Sequence, residues 1–291
     1  MAYSNDREAQ TNVIQQKIAR IVSYAFLVLV TFISLFPILL LIVNSTKSGT
    51  QLQSGFSLLP STHFFENLGK VFKASSIDLP HGIFNSFIIA ACVCLVTTYF
   101  SAMTAYGIHV YDFRLKKIAF NFILVIMMIP TQVSAVGFIK LVYSMKLTNN
   151  FLPLIIPAVA SPAVFFYMKQ YLESSFPLDV VEAARVDGSN EFATFNGIAL
   201  PMMKPALAVQ LIFSFVSSWN NFFTPALILT NANKQTIPIM ISKLKSMLES
   251  GNSDLGMIYM VILISIIPVV IVYFCISKYI VEGVALGAVK G

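Results

Sequence analysis

The sequence predicts an all-α polytopic membrane protein with about six transmembrane helices, and three observations lead there. The chain has 291 residues, of which 57% are hydrophobic and only 11% charged, against about 25% charged in a soluble domain. Its mean hydropathy is +0.78. The apolar residues gather into six runs, each near the roughly 20 residues that cross the hydrocarbon as a helix. Continuous runs of this kind satisfy their backbone groups internally, whereas barrel strands show weak alternation.

In chain order, residues 1–21 form an N-terminal segment carrying Arg7, Lys17 and Arg20. The first span is about 22–43. It is longer than a signal-peptide core and no small-residue cleavage site follows it, so it is expected to remain as an anchor. The others are about 83–106, 118–142, 151–169, 205–230 and 255–278, giving a six-span transmembrane domain over 22–278 and a tail over 279–291. Arg114, Lys116 and Lys117 crowd the connection after the second span. With the N-terminal cations they place both termini in the cytoplasm by the positive-inside rule, although Lys47, Lys70, Lys73, Lys234, Lys243 and Lys245 then fall outside. The outside carries loops 44–82 and 231–254, and the largest inside connection is 170–204. Pro37, Pro130, Pro153, Pro157, Pro162, Pro225 and Pro268 punctuate the spans, each removing a donor and bending or breaking its helix.

Several function classes are disfavoured. The spans carry no aspartate or glutamate near their middles, as Asp112 and Asp254 lie at edges or in loops and Lys140 sits near an end. A self-powered carrier usually keeps such a group, because a membrane charge persists only for function. There is no phosphate loop of the G-x-x-x-x-G-K-[ST] type, so any ATP must be bound by another subunit. His63, His81 and His109 stand alone, no metal spacing is present, and there is no nucleophile elbow. Cys92, Cys94 and Cys275 lie in apolar runs as small hydrophobes. The net charge of +6 belongs to loops beside spans and does not form a nucleic-acid patch.

The charged stretch "FPLDVVEAARVDGSNEFATFNGIALPMMKPA" in the 170–204 loop reads as helix, turn, helix. Pro177 suits a first turn, Asp179 and Glu182 favour the positive helix end, and Gly188 permits a left-handed stop. Ser189 is expected to cap a second helix with Glu191 in its first turn and Pro201 closing it. Glu182 and Arg185, three apart, are expected to pair, with Val181 and Ala184 offering an apolar surface. Helices this short are marginal alone. Two readings follow from the pattern: a solvated loop lying on its own spans, or a stub held by a partner.

Glu182-Ala183-Ala184, three residues, Gly188, nine residues, then Ile198-Ala199-Leu200-Pro201 resembles the EAA motif of membrane subunits of binding-protein-dependent ABC importers. "WNNFFTPALIL" from Trp219 and the C-terminal "VKG" resemble the carbohydrate branch, in particular the smaller membrane subunit of the maltose transporter. The resemblance implies that the loop is a coupling helix docking into a cytoplasmic ATPase dimer through Glu182, Ala183, Ala184, Arg185, Asp187, Gly188, Ile198, Leu200 and Pro201. It further implies a second homologous permease, an extracellular or periplasmic sugar-binding protein and a bacterial plasma (inner) membrane. The chain itself would be non-catalytic and bind no cofactor or metal, with ATP and Mg on the partner ATPase.

Weaker candidates remain. Ser217, Ser218, Trp219, Asn220, Asn221 and Thr224 make an unusually polar face, either lining a translocation path or bonding helices together. The amphipathic run in 231–254 either lies at the headgroups or, as the family implies, reaches the binding protein. The tail "VEGVALGAVKG" is expected to be disordered on composition, and the resemblance makes Val289, Lys290 and Gly291 docking candidates on the ATPase. The rival readings are a stand-alone channel or secondary carrier, and an importer for a solute such as a glycerol phosphate derivative.

Overall fold

The structure is a computed structural model and describes residues 2–251 and 253–288. Among these residues every regular element is helical. Helix α1 (Ala2–Ser45) carries the first span. α2 (Phe64–Lys73) is a short helix in the following loop, and α3 (Leu79–Val110) is the second span. α4 (Lys116–Met127) and α5 (Thr131–Ser144) follow, then α6 (Pro162–Ser175). The stub comprises α7 (Asp179–Val186) and α8 (Glu191–Met202). Next come α9 (Lys204–Trp219), α10 (Phe223–Ile228), α11 (Ile237–Glu249) and α12 (Leu255–Ala288).

Four stretches are long and apolar enough to cross a membrane unaided, Gln16–Ser45, Leu79–Val110, Leu152–Ser175 and Leu255–Ile280, and the number rises to as many as six if each of two bent pairs, α4 with α5 and α8 with α9, counts as one span. The expected span 118–142 divides at Pro130 into α4 and α5, because proline offers no N–H and disfavours a helical predecessor. The expected span 205–230 likewise stops at Trp219 and resumes as α10. Pro225 cannot bond back to the carbonyl of Asn221 and its ring crowds that carbonyl. Ahead of α6, Pro153 and Pro157 confine the chain to a four-residue turn, Leu152–Ile155, and a 3₁₀ stretch, Ile156–Val159. Thr97 satisfies one carbonyl there, its hydroxyl donating to Ala158 O at 2.8 Å. The tail departs from the disordered expectation: α12 continues to Ala288, since extending an existing helix avoids the nucleation cost that isolated glycine-rich segments face.

The chain forms two compact units, Met1–Lys70 with Ser253–Leu263, and Val71–Asn252 with Ile264–Gly291. In the first, fully buried Asn67 donates from Nδ2 to the carbonyls of Ser45 (2.9 Å) and Lys47 (2.8 Å) where α1 ends. Lys70 bridges Glu66 at 2.8 Å and Asp254 at 2.9 Å. Gly256 packs so tightly there that a Cβ would stand 2.6 Å from Lys47 O and 2.8 Å from the Asn67 amide. Overpacking of this kind costs roughly 1–3 kcal/mol. Gly256→Ala is therefore expected to lower the unfolding temperature of the purified protein; a midpoint equal to wild type would show that the backbone yields freely.

The second unit centres on α3. Ala102, Ala105 and Tyr106 of α3 pack with Val164, Phe165, Met168 and Leu172 of α6. Phe176, Val181, Phe195, Ala199, Met203 and Ala206 join the same cluster, so the core extends from the spans into the stub. A smaller cluster joins Ile89, Val142, Ile228 and Leu229 across α3, α5 and the end of α10.

Candidate coupling site

The stub is built on one turn. α7 ends where Gly188 takes φ +78, a left-handed conformation that costs other residues roughly 1–2 kcal/mol. Gly188 N donates to Arg185 O at 3.0 Å and Ser189 N to Ala184 O at 2.9 Å, the paired bonds of a Schellman stop. That use of Ser189 moves the next cap along by one residue. Asn190, not Ser189, caps α8 by accepting from Ala193 N at 2.8 Å, while Ser189 Oγ accepts from Thr194 Oγ1 at 2.9 Å.

The expected pair Glu182–Arg185 does not form. Arg185 Nε instead donates to Glu191 Oε1 at 2.9 Å across the turn. Tyr111, just past the end of α3, donates its hydroxyl to Glu191 Oε2, and the Arg185 guanidinium lies 5.6 Å from the Tyr111 ring centroid. The hydrogen bond from Tyr111, followed by that from Arg185, holds the Glu191 carboxyl below its usual range. Burial first, and the Glu191 carboxylate second, push the Tyr111 phenol up to about 12. Glu191 is therefore an acceptor and Tyr111 a donor throughout the neutral range.

Val181 and Ala184, expected to face a partner, are buried at 1% and 5% exposure in the chain's own packing. Three apart on α7, they form the stripe that seats the short helix. The outward face is made instead by Val186, 88% exposed, and Phe192, 67% exposed, on either side of the Gly188 turn. Both lie off the motif's named positions; large apolar residues flanking a polar turn were the available signal. Glu182, Ala183 and Asp187 are exposed. Among the described residues Glu182 makes no side-chain hydrogen bond or ion pair. Farther along, Ile198 and Leu200 are half-buried, Leu200 against the core cluster, and Pro201 is exposed. α8 passes through a π-turn at Phe195–Ala199 and meets α9 at a bend of 81°.

The polar face of the fifth span divides. Ser217, Asn220 and Asn221 are exposed, Ser218 and Thr224 half-buried. Trp219 is buried and stacked on Phe215 at 5.8 Å, so its ring belongs to the packing and not to an open surface. The amphipathic run of 231–254 forms α11, with Ile237, Met240 and Leu244 buried; its apolar side packs within the protein and is not left for headgroups. Val289, Lys290 and Gly291 lie outside the described residues.

Comparison with known proteins agrees with this architecture. A permease of the arabinooligosaccharide transport system, AraQ of Bacillus subtilis, is 33% identical over 280 residues, 95% of this chain and 98% of the relative. The sn-glycerol-3-phosphate transport permease UgpE of Brucella abortus is 26% identical, covering 92% and 97%. A crystal structure of a bacterial ABC transporter involved in import of the acidic polysaccharide alginate shares the fold, with TM-score 0.76 at 23% identity, covering 90% of this chain and 96% of that one. Residues 97–285, more than half the chain and containing the whole stub, match the model of the binding-protein-dependent transport system inner membrane component. With that match extending over the second-unit core and the helix, turn and helix seated on it, this chain belongs to the family of inner membrane permease components of binding-protein-dependent ABC transport systems.

Proposed function

We propose that this permease subunit serves an ATP-driven sugar importer, with an oligosaccharide as substrate, and that both its termini are cytoplasmic. The single observation that carries the coupling role is the stub. Its two helices are anchored through Val181, Ala184 and Phe195, yet present unpaired Glu182 with Val186 and Phe192 outward. A rigid, core-seated projection with an exposed apolar and acidic face suits a cytoplasmic ATPase dimer, which would bind the ATP and Mg. Closure of that dimer would then rock the attached spans and expose the path to each side in turn.

Within the membrane the chain pairs with a second homologous permease, and Ser217, Asn220 and Asn221 face the path between them. Exposed amides and hydroxyls match sugar hydroxyls in hydrogen-bonding capacity. Segment 231–250 faces an extracellular or periplasmic sugar-binding protein. The likeness to AraQ supports a sugar; the likeness to UgpE keeps a glycerol phosphate solute as the second reading.

A mild-detergent pull-down from native membranes, with stoichiometric partners and bound solute identified by mass spectrometry, tests both levels. Recovery of an ATPase, a second six-span protein and a glycan-loaded binding protein is expected. A phosphodiester or glycerol phosphate on the binding protein would support the second reading. Recovery alone or as a homo-oligomer after crosslinking would turn the assignment toward a channel or carrier.

A further inference from the structure

We infer that α3 is a through-going strut joining the stub at one end to segment 231–250 at the other, and that Tyr111 and Asn85 are the positioning residues of its two joints. The inference rests on the reading above, in which the stub meets an ATPase and segment 231–250 meets a binding protein. It adds a direct route between those two surfaces that does not pass through the spans flanking the stub in sequence.

At the C-terminal end, three residues tie α3 to the stub. Tyr99 donates its hydroxyl to Asn196 Oδ1 at 3.1 Å. The Tyr106 ring lies 5.3 Å from that of Phe195. Tyr111 closes the group through Glu191, which Arg185 reaches from α7. Both halves of the stub are thus bound to α3 through side chains that neither α6 nor α9 provides.

At the N-terminal end, Asn85 donates from Nδ2 to the carbonyls of Asn233 and Gln235, both at 3.0 Å. Ser86 Oγ accepts from Ile237 N at 2.9 Å. Gly82 lets α11 approach, since a Cβ there would stand 2.5 Å from Met240 Sδ. Asn85 and Ser86 are 4% and 3% exposed. The donor and acceptor side chains are thus shielded on the α3 side, and the bond from Ile237 N to Ser86 Oγ is buried outright, where a low dielectric strengthens it.

The helix between the joints suits the role. From Asn85 to Tyr106 it contains neither proline nor glycine, and its 32 residues give a rod of about 48 Å. By contrast α4 and α5 are separated at Pro130, a 3₁₀ stretch precedes α6, and α8 meets α9 at 81°. Kinks of those kinds absorb motion locally, whereas an unbroken packed helix moves as one element.

The test uses the complete transporter, both permeases with the ATPase pair, reconstituted in lipid. ATPase rate is measured with and without solute-loaded binding protein. Tyr111→Phe and Asn85→Ala are each expected to leave assembled yield and basal ATPase unchanged while reducing the stimulation ratio by about five-fold or more, the scale of a typical coupling energy. Sites this far apart normally contribute additively; here the double variant is expected to be no worse than the stronger single, because both break one strut. Stimulation at wild-type level in both singles, or a double variant equal to the product of the two, would overturn the strut. If Asn85→Ala fails to assemble, Ser86→Ala probes the same joint. A wild-type complex that forms without an ATPase, or is not stimulated by its binding protein, would instead remove the parent reading and the strut with it.

Discussion

Replacing Gly188 with valine is expected to abolish transport while leaving membrane insertion and expression normal. The residue sits at φ +78 with nothing within 4 Å of where a Cβ would be, so the effect comes from the backbone and not from a clash. The left-handed conformation costs a non-glycine residue roughly 1–2 kcal/mol, and a β-branched side chain is a poor occupant of it. The eight residues of α7 have little cooperativity of their own to absorb that strain. Losing the stop would release the bonds from Gly188 and Ser189 to Arg185 and Ala184 and re-aim Val186 and Phe192. The turn lies outside the spans, so their own backbone bonds are untouched. Uptake in cells and membrane abundance, measured together, check the prediction, and Gly188→Asn should retain partial transport because asparagine tolerates the left-handed region. Normal uptake in the valine variant would separate the turn from transport.

Charge reversal at Glu182 is expected to have the second large effect, with uptake lost and the ATPase no longer co-purifying. Glu182 lies in the first turn of α7, where reversing a charge against the helix dipole costs only about 0.3–1 kcal/mol. Val181 and Ala184, both buried, hold the helix against a change of that size. In the proposed contact with the ATPase the loss arises on the partner's side, where breaking one member of a buried interfacial charge pair costs about 2–5 kcal/mol, roughly a thirty-fold weakening at the lower end. Glu182→Gln should retain part of the function through its remaining acceptor. Wild-type uptake with Glu182→Lys would remove this residue from the contact.

The stub shows how far local chemistry carries. Gly188 as the stop and Glu191 in the next helix's first turn were legible because only nearby backbone bonds are involved. The cap was misplaced by one residue, since the Schellman bond to Ser189 N cannot be counted until α7's last turn is known. The Glu182–Arg185 spacing favoured a local pair, but Tyr111 comes from a helix end 74 positions before Arg185 in the chain and draws Glu191 and Arg185 together. No window of sequence contains that contact.

The same division holds for the membrane helices. Composition and run length determined that the chain crosses the membrane as helices about six times, because the cost of unsatisfied backbone groups in hydrocarbon leaves no other solution for such runs. The spacing from Glu182 to Pro201 determined where the stub lies and where it turns. Tertiary structure alone decided which prolines break a span, as Pro130 does, and which are carried inside a helix, as Pro37 and Pro268 are, because a freed carbonyl is tolerated only where a neighbour answers it. It also decided which face of α7 is buried. Val181 and Ala184 turn inward and Val186 and Phe192 outward because the core that receives the stub is assembled from α3, α6 and α9, segments that meet only after the chain has folded.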